Sequence, residues 1–162
     1  SVFTTCIIQY CSCIIHLVDM SIIFDPKNLI PPFVNKIEKP WGYEIHWTMP
    51  NLPYMGKILH VNAGKRLSLQ RHDKKQETWF MMNGKAKAMF DNDKGELIEV
   101  ELEYGKGYTN AVGQRHRLIG VTDCDVIEVS TPEIGVTERL EDDYKRPDET
   151  EEIRKQKNRG WA

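Results

Sequence analysis

Hydrophobic and polar residues alternate in short runs through the middle of the chain. The runs are residues 43–48, 54–61, 66–71, 77–82, 85–90, 97–102, 117–118 and 125–129. Such alternation is typical of strands with one buried face. No long helical period separates the runs, so a parallel sheet with helical crossovers is not expected. The pattern predicts an all-β fold, a sandwich or barrel of the jelly-roll kind.

Turn-forming residues separate the predicted strands, at 51–53, 62–64, 83–84 and 92–95. Asn83-Gly84 is the strongest of these signals, because both residue types tolerate the positive φ that a two-residue type I′ turn requires. We therefore expect a hairpin between residues 77–82 and 85–90.

The two ends of the chain differ from the middle. Residues 25–40 contain four prolines and predict an irregular entry arm. Residues 1–24 are predicted to be an extension, of which 1–19 are expected to be dispensable; a strand added to the body is the alternative. Residues 147–162 carry acids before bases, an order that favours a solvated C-terminal helix. A single domain is expected over residues 25–146.

Composition excludes several classes of function. The 162 residues carry a net charge of -2, so no basic surface for nucleic acid is indicated. The apolar run at 6–18 is shorter than the roughly 20 residues of a membrane-spanning helix, and no membrane partner is expected. Three cysteines crowd into residues 6–13 without the spacing of a disulfide framework, which favours a reducing cytoplasm.

One constellation carries chemistry. Gln70 and His72 are two residues apart on one predicted strand, and a hairpin return is expected to bring Glu77 beside them. His116 follows Gly113, where a tight turn can deliver its imidazole to the same place. Such a mixed nitrogen and oxygen set suits a divalent metal ion, with positions left open for water or substrate.

These residues lie in two motifs, G-x5-Q-x-H-x4-E-x6-G and G-x5-A-x-G-x2-H-x3-G, which resemble the paired motifs of the cupin superfamily. Within it the chain is similar to type II phosphomannose isomerases, including those fused to mannose-1-phosphate guanylyltransferases. The shared segments are 39–43 (KPWGY), 64–70 (GKRLSLQ), His72, 77–79 (ETW), 113–118 (GQRHRL) and 139–144 (RLEDDY). The resemblance covers about residues 36–146. It implies a cupin double-stranded β-helix with a short C-terminal helix, and an isomerase that converts mannose 6-phosphate to fructose 6-phosphate.

The resemblance also implies a metal centre at Gln70, His72, Glu77 and His116, with zinc as the first expectation and iron or manganese as alternatives. The chain departs from the isomerase pattern where Asp73 and Lys74 replace histidines, and at Ala111 and Gly120. These departures keep two alternatives open: a non-catalytic module that binds metal and a sugar phosphate, and a cupin of other chemistry such as a dioxygenase.

Isomerisation through an enediol requires a base and a stabiliser of the developing oxyanion. Glu128 and Lys74 are the candidate catalytic residues. Glu128 lies among apolar neighbours, so it faces either solvent or the cavity. Arg66, Lys65 and Arg117 are the candidate substrate-binding residues; alternation places Arg66 on the face of Gln70 and aims it into the barrel mouth. The expected partners are a small sugar phosphate and a second copy of the chain in a homodimer.

Overall fold

The computed structural model describes residues 31–161, and in this range the chain forms two antiparallel sheets. The strands are β1 (Asn35–Lys39), β2 (Gly42–His46), β3 (Met55–Val61), β4 (Leu69–His72), β5 (Glu77–Asn83), β6 (Ala86–Asp91), β7 (Leu97–Glu101), β8 (Gly107–Asn110), β9 (His116–Gly120), β10 (Cys124–Ser130) and β11 (Thr137–Glu141). A short helix, α1 (Glu151–Arg154), and a 3-10 segment (Lys157–Gly160) follow. The predicted all-β class with a short C-terminal helix is confirmed. The extension at 1–24 and the start of the arm lie outside the described residues.

The sheets have the strand orders β1-β2-β3-β10-β5-β8 and β11-β4-β9-β6-β7. Alternate inward side chains build an apolar core, which includes Trp41, Leu59, Val61, Trp79, Met81, Leu118 and Val126. Further along the same strands the inward positions become charged. On β3 the buried Lys57 lies two residues before the buried Leu59. On β10 the buried Glu128 lies two residues after the buried Val126. The space between the sheets therefore has an apolar end and a charged end.

Three strands are absent from the sequence prediction. β1 lies in the proline-rich arm. A strand can form there because Pro40 follows it rather than interrupting it. β8 and β11 have few apolar residues, and their strand conformation is supplied by pairing with β5 and β4. Hydrophobic alternation fails for such edge strands because tertiary pairing, rather than burial of one face, holds them in place.

The predicted hairpin at Asn83-Gly84 is wrong. β5 and β6 belong to different sheets, so the chain crosses between the sheets at this corner. Of these two residues, Gly84 has a positive φ, of 76°, and Asn83 does not. A Cβ at Gly84 would lie 2.2 Å from the carbonyl oxygen of Asp123, so glycine is required by a close backbone approach rather than by a type I′ turn.

The C-terminal segment is only partly the solvated helix that the charge order predicts. Helix α1 has no buried residue, and the Oγ1 of Thr150 accepts a hydrogen bond from the backbone N–H of Ile153 at its start. The side chain of Arg159, however, is only 8% exposed and forms ion pairs with Glu133 and Glu149. The segment is therefore tied to the barrel by buried charges.

The large aromatic side chains of Trp47 and Phe80 lie outside the core, and both are about two-fifths exposed. Phe80 points outward because its neighbours Trp79 and Met81 take the inward positions of β5. Within residues 31–161 no helix is long and apolar enough to cross a membrane.

Candidate metal centre

His72, Glu77 and His116 meet at the charged end of the space between the sheets. His72 ends β4, and His116 begins β9 in the same sheet, where it lies opposite Gln70. Glu77 begins β5 in the facing sheet. The predicted convergence is therefore present, but it arises from two facing sheets and not from a hairpin return.

The three side chains are almost completely buried, with exposures of 3% for His72, 1% for Glu77 and 0% for His116. One carboxylate oxygen of Glu77 lies 3.2 Å from Nε2 of His72, and the other lies 3.2 Å from Nε2 of His116. All the ligand-type atoms lie within 4.8 Å of one another. Atoms that lie this close to one another could bind the same metal ion.

The donor set fits a divalent cation. Nδ1 of His116 lies 2.9 Å from the carbonyl oxygen of Gln114, which can only accept a hydrogen bond. Nδ1 therefore carries the proton, and Nε2 presents a lone pair to Glu77. Nε2 of His72 is buried and has no hydrogen-bond partner among residues 31–161, and Oε2 of Glu77, 3.2 Å away, pairs with Lys75. An unpartnered buried nitrogen is costly, and a metal ion bound to it removes that cost.

Gln70 lies beside this group, but its oxygen is already used. Oε1 accepts hydrogen bonds from the Ser68 hydroxyl at 2.8 Å and from Nη1 of Arg139 at 3.2 Å. The Nε2 of Gln70 faces Nε2 of His116 at 3.5 Å. In this conformation the amide supports His116 from the side, and its role as a metal ligand stays a prediction.

The electrostatics of the group favour ionised Glu77 and neutral His72. Burial lowers the pKa of His72, which keeps its imidazole neutral and able to bind a metal. Burial alone would raise the pKa of Glu77, but the ammonium group of Lys75 holds that pKa well below its ordinary value. A deprotonated carboxylate and a neutral imidazole are the forms that ligate divalent ions.

Lys75 and Glu128 extend the site. Glu128 is 4% exposed and faces the cavity, which answers the question that the sequence left open. Its Oε1 lies 3.0 Å from Nζ of Lys75 and 3.6 Å from Nζ of Lys57. Lys75 also pairs with Oε2 of Glu77, and Lys57 pairs with Glu133. Charges therefore alternate from the metal-ligand group outward along the cavity, and we call this series the charge chain: Glu77, Lys75, Glu128, Lys57, Glu133 and Arg159.

The remaining candidates from the sequence lie elsewhere. Lys74 is exposed, as is Lys65. Arg66 does not project into the barrel; its side chain is 43% exposed and is paired with Asp143. That expectation is wrong because residues 66–68 do not continue the regular alternation of β4, which begins only at Leu69.

Arg117 is buried but points away from His116, as alternation predicts. Its Nε donates to the carbonyl of Leu67, and its Nη1 to Glu141 at 3.1 Å. These contacts tie β9 to the segment that leads into β4 and to the end of β11.

Sequence reasoning missed Lys75 and Arg139. Lys75 was detectable, because buried positions alternate backward from Met81 through Trp79 and Glu77 to Lys75. Arg139 lies opposite Gln70 on β11, a strand that the charged sequence concealed. The cavity that these residues enclose is small, about 40 Å³.

Comparisons with known proteins agree with this geometry. A family model described as mannose-6-phosphate isomerase C-terminal matches residues 32–149. No curated protein matches the chain.

Solved structures show the same fold at low identity. An oxalate decarboxylase formate complex from Lactobacillus farciminis has 19% identity and a TM-score of 0.58, over 66% of this chain and 34% of that one. An oxalate decarboxylase from Bacillus subtilis has 17% identity and a TM-score of 0.56, over 66% and 30%. The capsular polysaccharide assembling protein CapF from Staphylococcus aureus has 15% identity and a TM-score of 0.50, over 74% and 32%. The chain thus spans about a third of the length of these proteins.

Proposed function

This chain belongs to the family described as mannose-6-phosphate isomerase C-terminal, within the cupin superfamily, and we propose that it is a metal-dependent isomerase that interconverts mannose 6-phosphate and fructose 6-phosphate. The observation that carries the proposal is the buried group of His72, Glu77 and His116, whose ligand-type atoms lie within 4.8 Å of one another beside the contact between Lys75 and Glu128. Zinc is the first ion to test, with iron and manganese as alternatives.

The reaction moves a proton between two adjacent carbons of the sugar. A base must accept that proton, and a positive group must stabilise the oxygen that becomes negative. A divalent ion held by His72, Glu77 and His116 would supply Lewis acidity toward that oxygen. The side chains around the cavity supply the other parts.

We assign proton transfer to Glu128. Its carboxylate is buried and faces the cavity. Oε1 accepts a hydrogen bond from Nζ of Lys75 at 3.0 Å, and this bond fixes the orientation of the whole carboxylate. Nearby carboxylates raise the pKa of Lys75 even though burial opposes this. A lysine that stays protonated serves as a hydrogen-bond donor to a developing oxyanion rather than as a base. We therefore assign to Lys75, and not to the exposed Lys74, the role of the lysine that takes part in catalysis.

A coupled assay that converts fructose 6-phosphate onward tests the proposal on protein whose metal content has been measured. We expect turnover of mannose 6-phosphate, and Glu128→Gln should lower kcat about 100-fold or more, the usual contribution of a general base. Its metal content should stay at the wild-type level, because Glu128 is not among the ligands. Lys74→Met is the matched control and should keep full activity.

Metal-loaded wild-type protein without turnover would contradict the isomerase proposal. The inner cavity of about 40 Å³ is smaller than a hexose, so catalysis there requires the side chains that line it to move apart when the sugar phosphate binds. The alternative is a non-catalytic module that binds a metal ion and a sugar phosphate. Mannose 6-phosphate would then raise the melting temperature without being converted.

A further inference from the structure

A second and much larger cavity lies next to the C-terminal segment. Its volume is about 510 Å³, within the roughly 300–1,000 Å³ of small-molecule sites. We call it the outer cleft. One wall is apolar and aromatic, and it includes Phe33, Ile37, Leu52, Tyr54, Met55 and Pro132. The other wall is charged: it carries Arg154, Lys155 and Arg159 together with Glu133 and Glu151, and Lys155 pairs with Glu151 at 3.0 Å.

Arg154 brings an uncompensated positive charge to the outer cleft. Its guanidinium donates to the backbone carbonyls of Gly135, at 3.0 Å, and Glu149, at 3.1 Å. Among residues 31–161 no carboxylate forms an ion pair with it. Backbone carbonyls fix the orientation of the guanidinium but leave its net charge available, and such a group favours an anion.

Arg159 lies at the same wall, with its charge balanced by Glu133 and Glu149. Its Nε is buried and has no hydrogen-bond partner among residues 31–161. Asn158 and Arg159 both adopt left-handed backbone conformations, with φ of 47° and 54°. These conformations strain the backbone of a non-glycine residue, so the buried side chain of Arg159 is held in place against that strain.

The outer cleft also leads toward the metal-ligand group. Glu133, Ile134, Arg154 and Arg159 line both the outer cleft and the inner cavity. The two spaces are therefore separated by side chains and not by a strand of the barrel. A ligand in the outer cleft lies against the outer end of the charge chain.

We propose that the outer cleft binds a phosphorylated sugar, with the sugar ring against the wall of Phe33 and Tyr54 and the phosphate against Arg154. The identity of the sugar rests on the proposed function; the preference for an anion rests on Arg154 itself. An apolar wall with a few fixed polar groups is the usual construction of a small-molecule site.

Calorimetric titration of the full chain tests this site without any need for turnover. The probes are mannose 6-phosphate, unphosphorylated mannose and inorganic phosphate. We expect Arg154→Gln to weaken mannose 6-phosphate binding at least tenfold, while Arg154→Lys keeps most of it. Lys157→Gln is the matched control: it removes one positive charge from the same segment, but Lys157 lines neither cavity. Its affinity should stay within twofold of wild type.

A variant on the opposite wall protects the test against misfolding of the arginine variants. Tyr54 is 48% exposed, so Tyr54→Ala should leave the fold intact and weaken mannose 6-phosphate binding. It should leave the binding of inorganic phosphate unchanged. If neither Arg154→Gln nor Tyr54→Ala alters binding, or if mannose 6-phosphate fails to bind at millimolar concentration, the proposed site is wrong.

The outcomes separate this site from the proposed reaction. Binding that depends on Arg154, without turnover, supports the outer cleft and contradicts the isomerase. Turnover with an unchanged KM in Arg154→Gln supports the isomerase and contradicts the outer cleft.

Discussion

The hydrogen bond from His116 to the carbonyl of Gln114 decides which nitrogen of this residue is free. It fixes the imidazole so that Nε2 faces Glu77, and the sequence could not show this because the bond depends on a turn near Gly113. The three residues of the candidate metal centre were predictable from spacing and resemblance. The buried charged residues around them were not predictable, because the exposed Lys74 and the buried Lys75 differ by only one position.

We expect His72→Ala and His116→Ala to lose bound metal. Each change removes a buried nitrogen ligand, and the remaining two residues cannot hold the ion. Elemental analysis of protein purified without chelator or nickel resin measures the loss. His60→Ala is the control, because His60 pairs with Asp125 away from the centre. Wild-type protein that binds no zinc, iron or manganese after incubation would contradict the metal centre.

We expect Lys75→Met to destabilise the metal-free protein by about 3 kcal/mol, because it leaves two buried carboxylates without their cation. Lys74→Met should change the free energy of unfolding by less than about 0.5 kcal/mol, as is usual for an exposed side chain. Urea unfolding of both variants measures the difference. Equal stability of the two would show that the ion pairs of Lys75 contribute nothing.

The strands that the sequence predicted share one property, which is an inward apolar face. Periodicity found β3, β5, β6 and β10, whose inward residues include much of the core. It missed β8 and β11, whose residues are polar and whose position depends on a neighbouring strand. It also misread the corner at Gly84, because a local turn signal does not reveal which sheet the next strand joins.

We expect Gly84→Ala to destabilise the protein more than Gly64→Ala. Both glycines have positive φ, of 76° and 71°, so both substitutions pay a similar backbone cost of about 1 kcal/mol. Only at Gly84 would the new methyl group also collide with Asp123 and Cys124, whereas at Gly64 no atom of the described residues lies within 4 Å of it. Thermal unfolding of the two variants measures the difference; equal melting temperatures would contradict the close approach at this corner.

At the scale of the whole molecule, the charged end of the barrel makes stability depend on pH. Burial would raise the pKa of Glu133, but Lys57 and Arg159 hold it well below its ordinary value of 4.5. A carboxyl whose pKa is lower in the folded than in the unfolded protein stabilises the fold fully above the unfolded value. That contribution is lost as pH falls through the folded pKa.

We therefore expect the urea midpoint to fall as pH decreases below about 5, and to fall less steeply in Glu133→Gln. The control is Glu138→Gln, since Glu138 forms only an exposed ion pair with Arg71. Its pH dependence should match wild type. A Glu133→Gln variant with the wild-type slope would assign the acid sensitivity to other groups.

The expected homodimer stays a prediction at this scale. β1, at one edge of the six-stranded sheet, pairs with β2 of its own chain. Light scattering decides between a monomer of 18.8 kDa and a particle of twice that mass.

The charge chain has a consequence for how this barrel tolerates change. Lys57 contacts three carboxylates, those of Glu44, Glu128 and Glu133, and Glu128 contacts two ammonium groups, so the loss of either residue deprives its neighbours of a counter-ion. Removing both together restores neutrality, and the double variant should be more stable than the sum of the single effects implies. Substitutions here would therefore be accepted in compensating pairs, and this end of the barrel would diverge in steps of two residues while the apolar end diverges one residue at a time.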